Sequence, residues 1–272
     1  MTQAYFYQDP YAKTMTAVVT AVVTTVVATE VGSAVYFDRT VFYPLGGGQP
    51  GDTGVIRFNE QTVGITDTRK DPKLDIQHIT EAAIEALPTI GTTVTLELDW
   101  ARRHKHMQMH TAMHLLGALI DAPVTGGQVG VDKSRLDFDI GDLQLDKGAL
   151  TEKLNNMIAS RTDLAFEWVA EAVLDAQPDL VRTMSVAPPR GAGDIRMVRI
   201  PGIDYQPCGG THVQSLSEIS PLIVSKIENK GRQNRRVHLV FAQADGAGDE
   251  KFCQVWQGLR ARYRHPGCAP RQ

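Results

Sequence analysis

The chain has 272 residues, 42% hydrophobic and 22% charged, with a formal net charge of −3. That is the profile of a globular protein with room for one large domain or two smaller ones, and the acidic balance argues against a bulk nucleic-acid binder. Three cysteines, Cys208, Cys253 and Cys268, are too few and too clustered for a disulfide framework, so a reducing, cytoplasmic setting is expected.

In chain order, "MTQAYFYQDPYAK" lacks the basic and apolar regions of a signal peptide. The apolar run over 14–29 is interrupted by threonines and is shorter than the roughly 20 residues a membrane span needs, so no membrane partner is expected. Its valines recur every four residues, a helical period, but Val and Thr are stiff at χ1, and the spacing is read as strand. "AVYFDRTVFY", "GVIRF", "TVGITDT" and "TVTLELDW" follow as further short strands with glycine turns. Residues 1–98 thus predict a small β-barrel-like or sandwich domain.

Asp99 is a plausible N-cap for a helix through "WARRHKHMQMHTAMHLLGALI", and a second helix fits 149–161. Strand patterns recur in "RLDFDI", "LAFEWVA", "IRMVRI", "PLIVSKIE" and "RRVHLVFAQ", the last two flanking "NKGRQN" as a basic-tipped hairpin. An α+β domain over 99–245 is predicted, with a C-terminal tail over 246–272.

Two short motifs carry chemistry. His110 and His114 are spaced i, i+4, which puts both rings on one helix face about 6 Å apart along the axis, a common way to offer two imidazoles to zinc. "CGGTH" adds Cys208 and His212 on a permissive glycine loop, completing a tetrahedral donor set. His106 lies one turn before His110 on the same face, so spacing alone leaves a His106–His110 pair open. "FYPLGGGQPGDTG" has three consecutive glycines but neither a phosphate-loop GK[ST] nor a GxGxxG, and by pattern it reads as a tight turn. Basic residues cluster at Arg102, Arg103 and Lys105, and at Lys226, Lys230, Arg232, Arg235 and Arg236. They read either as solvated faces or as a phosphate-contacting patch.

Taken in order, "RRHKHMQMHTAMHLL", "CGGTHV" and "KIENKGRQNRRV" resemble the editing domain of alanyl-tRNA synthetase. "FYPLGGGQPGDTG" is similar to the glycine-rich motif of the medium-length, free-standing AlaX editing proteins. The resemblance runs from about residue 30 to 243 and leaves no room for an aminoacylation core. It implies an N-terminal barrel-like domain followed by a two-layer editing domain of the threonyl/alanyl-tRNA synthetase type. It also implies ATP-independent hydrolysis of tRNA(Ala) mischarged with serine, and in some members glycine. It assigns one Zn²⁺ to His110, His114, Cys208 and His212, and places Gln128 in the editing pocket. Thr111, Thr211 and Gln128 are then candidates to recognise the serine hydroxyl, and the N–H groups of Gly209 and Gly210 to face a developing oxyanion. Gly46, Gly47, Gly48 and Gln49 would close the pocket, while Arg103, Lys226, Lys230, Arg232, Arg235 and Arg236 would contact tRNA phosphates. Met113 stands where many synthetase-embedded versions have threonine. No long oligomerisation extension follows 245, and a monomer is expected. Four protein ligands would close a zinc site; either one ligand gives way, His212 being the suspect, or zinc orients substrate without making the nucleophile. The alternatives are an editing site for another amino acid, or an inactive zinc-stabilised RNA-binding module.

Overall fold

The computed structural model describes residues 1–27, 30–141, 143–176 and 193–242. The tail expected over 246–272, with Cys253 and Cys268, lies outside them. No helix among the described residues is long and apolar enough to cross a membrane.

The first half is built from β1 (Gln3–Ala4), β2 (Thr14–Val27), β3 (Glu30–Phe37), β4 (Arg39–Thr40), β5 (Gly54–Phe58), β6 (Gln61–Ile65), β7 (Asp67–Asp71), β8 (Asp75–Thr80) and β9 (Thr93–Leu98). β1 and β4 form a short parallel pair; the other seven form an antiparallel sheet in the order β6-β5-β9-β2-β3-β8-β7. The valine run is strand. Ala17 and Val19 are buried while Thr16 and Thr20 are exposed, so period two prevails over the helical spacing of the valines. β2 is long enough to serve two neighbours, pairing with β9 through Thr14–Val18 and with β3 beyond a register shift at Val19 and Ala21.

A barrel-like or sandwich domain was expected for 1–98; the strand order is that of an open sheet. Its two edge strands, β6 and β7, are nevertheless consecutive in the chain. They are joined at Thr66, whose N–H donates to the Ile79 carbonyl at 2.9 Å. Phe37, Phe42, Ile56 and Leu96 are part of the buried core of this half.

The second half comprises α1 (Trp100–Leu119), β10 (Val124–Gln128), β11 (Lys133–Asp139), α2 (Lys147–Ala159), β12 (Ala165–Val169), α3 (Glu171–Ala176), β13 (Ile195–Ile200), β14 (Asp204–Pro207), β15 (Leu222–Asn229) and β16 (Asn234–Phe241). Asp99 caps α1 as expected, accepting from the Arg102 N–H at 3.1 Å. α2 begins two residues before the expected start because Asp146 caps it, accepting from the Ala149 N–H at 2.7 Å. The four-stranded sheet β10-β11-β16-β15 packs its apolar face on the two helices, with Met109, Leu116, Phe138, Leu154, Val224 and Leu239 between them. A second sheet, β12-β13-β14, is three-stranded. The architecture is mixed α and β with strands in the majority.

Three of the strands that escape the sequence pattern do so through their composition. β10 is "VTGGQ", whose glycines read as loop; β8 and β14 carry His78, Asp75, Asp204 and Gln206, polar residues that disguise the alternation. α1 ties the halves together. Arg103 is fully buried and forms an ion pair with Asp52, while also donating to the Val41 carbonyl at 2.7 Å and the Pro10 carbonyl at 3.2 Å.

Candidate metal centre

His110 and His114 stand on the buried face of α1, each 6% exposed, with ring centroids 5.5 Å apart. Cys208 follows β14 directly. Its N–H donates to the Arg196 carbonyl at 3.0 Å, continuing the ladder with β13, and Arg196 returns Nη1 to the carbonyls of Cys208 and Gly210, both at 2.9 Å. This clamp turns the glycine loop back on α1. The ligand atoms of His110, His114, Cys208 and His212 all lie within 4.8 Å of one another, and the four could hold a metal ion. The Cys208 Sγ is 3.5 Å from His110 Nε2 and 3.3 Å from His212 Nε2. Ligands about 2.0–2.3 Å from a tetrahedral zinc would lie roughly 3.3–3.8 Å apart, so these donors fit one ion.

The other ring nitrogens strengthen the fit. His110 Nδ1 meets Gln49 Oε1 at 2.8 Å, His114 Nδ1 meets Asp204 Oδ2 at 2.8 Å, and His212 Nδ1 meets Thr111 Oγ1 at 3.2 Å. Each partner can accept the Nδ1–H, which fixes the tautomer and leaves Nε2 for a metal. Gln206 Nε2 donates to the same Asp204 oxygen at 2.8 Å, and the Gly210 N–H donates to Sγ at 3.4 Å. Burial pushes the Cys208 thiol up, but the charges of His110 and His212 and hydrogen bonds from His110 and His114 outweigh it. Its pKa therefore falls well below the ordinary thiol value. Burial pulls His114 down, yet hydrogen bonds with Asp204 and Cys208 carry it up to about 10. Burial and the neighbouring His110 charge hold His212 well below its ordinary value.

The glycine motif forms a tight turn, as its pattern indicates. Gly46 and Gln49 exchange backbone hydrogen bonds at 3.1 and 3.0 Å, and Gly47 and Gly48 take φ of 58° and 80°, both left-handed. A Cβ on Gly48 would come 2.9 Å from the Gly127 carbonyl oxygen, so the turn packs against β10. Its product is Gln49, which is fully buried. Besides His110, its Oε1 accepts from the Thr211 N–H at 3.1 Å, and its Nε2 donates to Thr211 Oγ1 at 2.8 Å. Gln49 was expected at the pocket wall; it holds a ligand histidine instead.

Several expectations change with the geometry. Thr111 and Thr211 are 0% and 1% exposed, and their hydroxyls are engaged inside the cluster. Of the two expected oxyanion donors, Gly210 points its N–H at Sγ, whereas Gly209 is exposed. A Cβ at Gly210 would come 2.1 Å from His110 Cε1, so only glycine fits there. His212, suspected as the weak ligand, is 0% exposed and tied to Thr111; Cys208 is the ligand nearest solvent. Gln128 lies beside the Gly48 turn, its Cα 3.7 Å from where a Cβ on Gly48 would stand. It is exposed at the edge of β10, paired opposite Arg135, whose Nε donates to its Oε1 at 3.3 Å; the preceding Gly127 is the residue that faces Met113 on α1.

Arg103 cannot contact tRNA phosphates, because its guanidinium is buried against Asp52. In the second basic stretch, Glu228 pairs with both Lys226 and Lys230, and Arg236 makes a two-pronged pair with Asp137 at 2.8 Å. Arg232 is exposed at the β15–β16 tip, where Arg235 donates to the carbonyls of Gly231 and Asn234. Sequence reasoning missed Asp204, Gln206, Arg196 and Asp52. The first two sit two apart in the strand before Cys208, a period-two signal pointing both side chains at one face.

Comparisons with known proteins place the chain in a family. The family model described as "Threonyl and Alanyl tRNA synthetase second additional domain" matches residues 195–238, and "tRNA synthetases class II (A)" matches 1–102. The chain is 33% identical to the alanyl-tRNA editing protein AlaX-M of Methanosarcina barkeri over 257 residues, covering 89% of this chain and 99% of that protein. It is 31% identical to AlaX-L of Pyrococcus horikoshii, covering 87% of this chain and 57% of that protein. It is also 30% identical to the alanine–tRNA ligase of Pyrococcus abyssi, covering 95% of this chain but 27% of the ligase. With an inward-facing His₃Cys cluster and a match running along nearly the whole of an AlaX-M protein, the chain belongs to the AlaX family of alanyl-tRNA editing proteins.

Proposed function

We propose that this protein deacylates mischarged tRNA(Ala) in trans, acting on the seryl and to a lesser degree the glycyl ester, at a site holding one zinc ion. The observation that carries the reading is the donor set. Three histidines have their Nδ1 atoms occupied by Gln49, Asp204 and Thr111, and their rings gathered around the Cys208 sulfur. Family membership supplies the substrate class. We read 1–98 as the unit that contributes the glycine turn and 99–245 as the unit that contributes the ligands.

The need for such an enzyme is physical. A small apolar pocket cannot strongly reject serine, which adds one hydroxyl to alanine, so charging errors of roughly one in 10² call for a second sieve. Zinc, when bound, supplies Lewis-acid polarisation of an ester carbonyl. The chain's own residues do the rest. Gln49, Asp204 and Thr111 hold the imidazoles in register, and the Gly210 N–H steadies the Cys208 sulfur. Sparing alanyl-tRNA requires a polar group that pairs with the serine hydroxyl and is left unpaired by a methyl. Among the residues expected in that role, Gln128 alone is exposed. The patch at the hairpin tip, chiefly Arg232 and Arg235, contacts tRNA phosphates.

The test is to incubate the purified protein with seryl-, glycyl- and alanyl-tRNA(Ala) and follow loss of the ester. Hydrolysis of the seryl ester with the alanyl ester spared is expected. Three stable esters would make the protein a binding module, and preference for another aminoacyl group would move its specificity.

A further inference from the structure

We propose that Trp168 is the surface on which the terminal base of the RNA substrate stacks, the 3′-adenine adjoining the aminoacyl ester; this rests on the editing reading above. In the β12–β13 ladder Trp168 lies opposite Arg196 and Phe166 lies opposite Val198, so Trp168, Phe166 and Arg196 project from one face of the sheet. That face looks at the metal cluster. The Phe166 ring is stacked 6.4 Å from that of His212, and the Arg196 guanidinium lies 4.6 Å from the Phe166 centroid while donating to the Cys208 loop. Trp168 stands one side-chain step further along the strand, about 6.6 Å beyond Phe166.

Its exposure is what requires explanation. Trp168 is 53% exposed, the one aromatic among the strongly exposed large apolar side chains of the described residues. It is nonetheless held in place, because Tyr7 packs edge-on against it at 5.6 Å and 88°. Tyr7 in turn overhangs the ligand loop. A Cβ on Gly209 would lie 3.4 Å from its hydroxyl, and Arg196 sits 5.6 Å from its ring centroid. The result is a rim, Trp168, a wall, Tyr7, and a floor, Cys208 to Gly210.

A half-exposed indole held at one side offers ring surface to solvent, which is what a nucleobase uses for stacking irrespective of its hydrogen-bonding edge. In a charged tRNA a single ribose separates the terminal adenine from the ester. A base on Trp168 therefore hands its ester inward, past Tyr7 and toward Gly209.

The experiment uses uncharged RNA hairpins carrying the acceptor stem, one ending in CCA and one in CC, titrated against the full-length zinc-loaded protein. Wild type is expected to bind the CCA hairpin about 5- to 150-fold more tightly than the CC hairpin, the range of one base–aromatic stack. Trp168→Ala should abolish the difference and Trp168→Phe should retain most of it, with metal content unchanged in both. Equal affinity of wild type for the two hairpins, or a full difference surviving in Trp168→Ala, would overturn the proposal. No ester is present in this assay, so failure of the editing reading would appear separately, as stable seryl-tRNA.

Discussion

Replacing Gln49 by Met deletes an amide and little volume, and it separates a residue that holds the metal ligands from one that touches substrate. Gln49 is fully buried. Its Oε1 serves the His110 Nδ1 at 2.8 Å and the Thr211 N–H at 3.1 Å. Removing it leaves both donors buried and unpaired, at about 1–3 kcal/mol each, so a loss of about 2–6 kcal/mol in unfolding free energy is expected. That is a large part of the 5–15 kcal/mol typical of a domain. Metal affinity should fall about 10- to 100-fold, as when the partner of a ligand histidine is removed elsewhere. The assay is zinc competition against a chelator of known affinity, with urea unfolding at fixed zinc in parallel. Zinc affinity within about twofold of wild type, together with a raised KM for seryl-tRNA, would instead place Gln49 at the pocket wall.

Three further outcomes are expected. His106 is 1% exposed with neither ring nitrogen paired among the described residues. His106→Leu should therefore keep full zinc and gain about 1–3 kcal/mol in unfolding free energy, whereas zinc loss would shift the ligand pair to His106 and His110. His78 is buried between Thr40 Oγ1 and the Val35 carbonyl, and burial lowers it to about 4. The unfolded chain takes up its proton near pH 6.5, so the stability from His78 is whole above 6.5 and is lost as pH falls toward 4, at about 1.4 kcal/mol per pH unit. His78→Gln should flatten urea-derived stability against pH by one proton over that window, and an unchanged slope would count against a buried neutral imidazole. Neutralising Arg232 and Arg235 together should lower the log–log salt slope of tRNA binding by about 2 without altering which tRNA is chosen; an unchanged slope would make both merely solvated.

How much of this was legible depended on whether chemistry or context fixed the residue. The donor set was only partly readable from spacing. Zinc accepts few side-chain types, and a CxxxH on glycines could bend to meet an i, i+4 histidine pair, but spacing served His106–His110 as well as His110–His114, and the family resemblance chose between them. The start of α1 was readable from Asp99 alone. Arg103 was not. A cation in "ARRHKH" looks like surface, and its partner Asp52 lies 51 residues away in the chain, where pattern does not reach. Gln49 illustrates a half-success: the glycine motif marked the right place, but the side chain turns inward to His110 instead of outward to substrate. β10 was hidden because its glycines are selected for close packing of the Gly48 turn and of Met113, which removes the side chains that signal a strand. The valine run was ambiguous in period, and β-branching decided it correctly.

Whether the cluster is the hydrolytic site is decided by the rate of seryl-tRNA(Ala) deacylation as zinc is returned to metal-stripped protein. The rate should rise in proportion to bound zinc and level off at one equivalent per chain, with Cys208→Ala binding none and staying at the stripped rate. Full activity in the stripped protein, or no hydrolysis at one bound equivalent, would contradict that role.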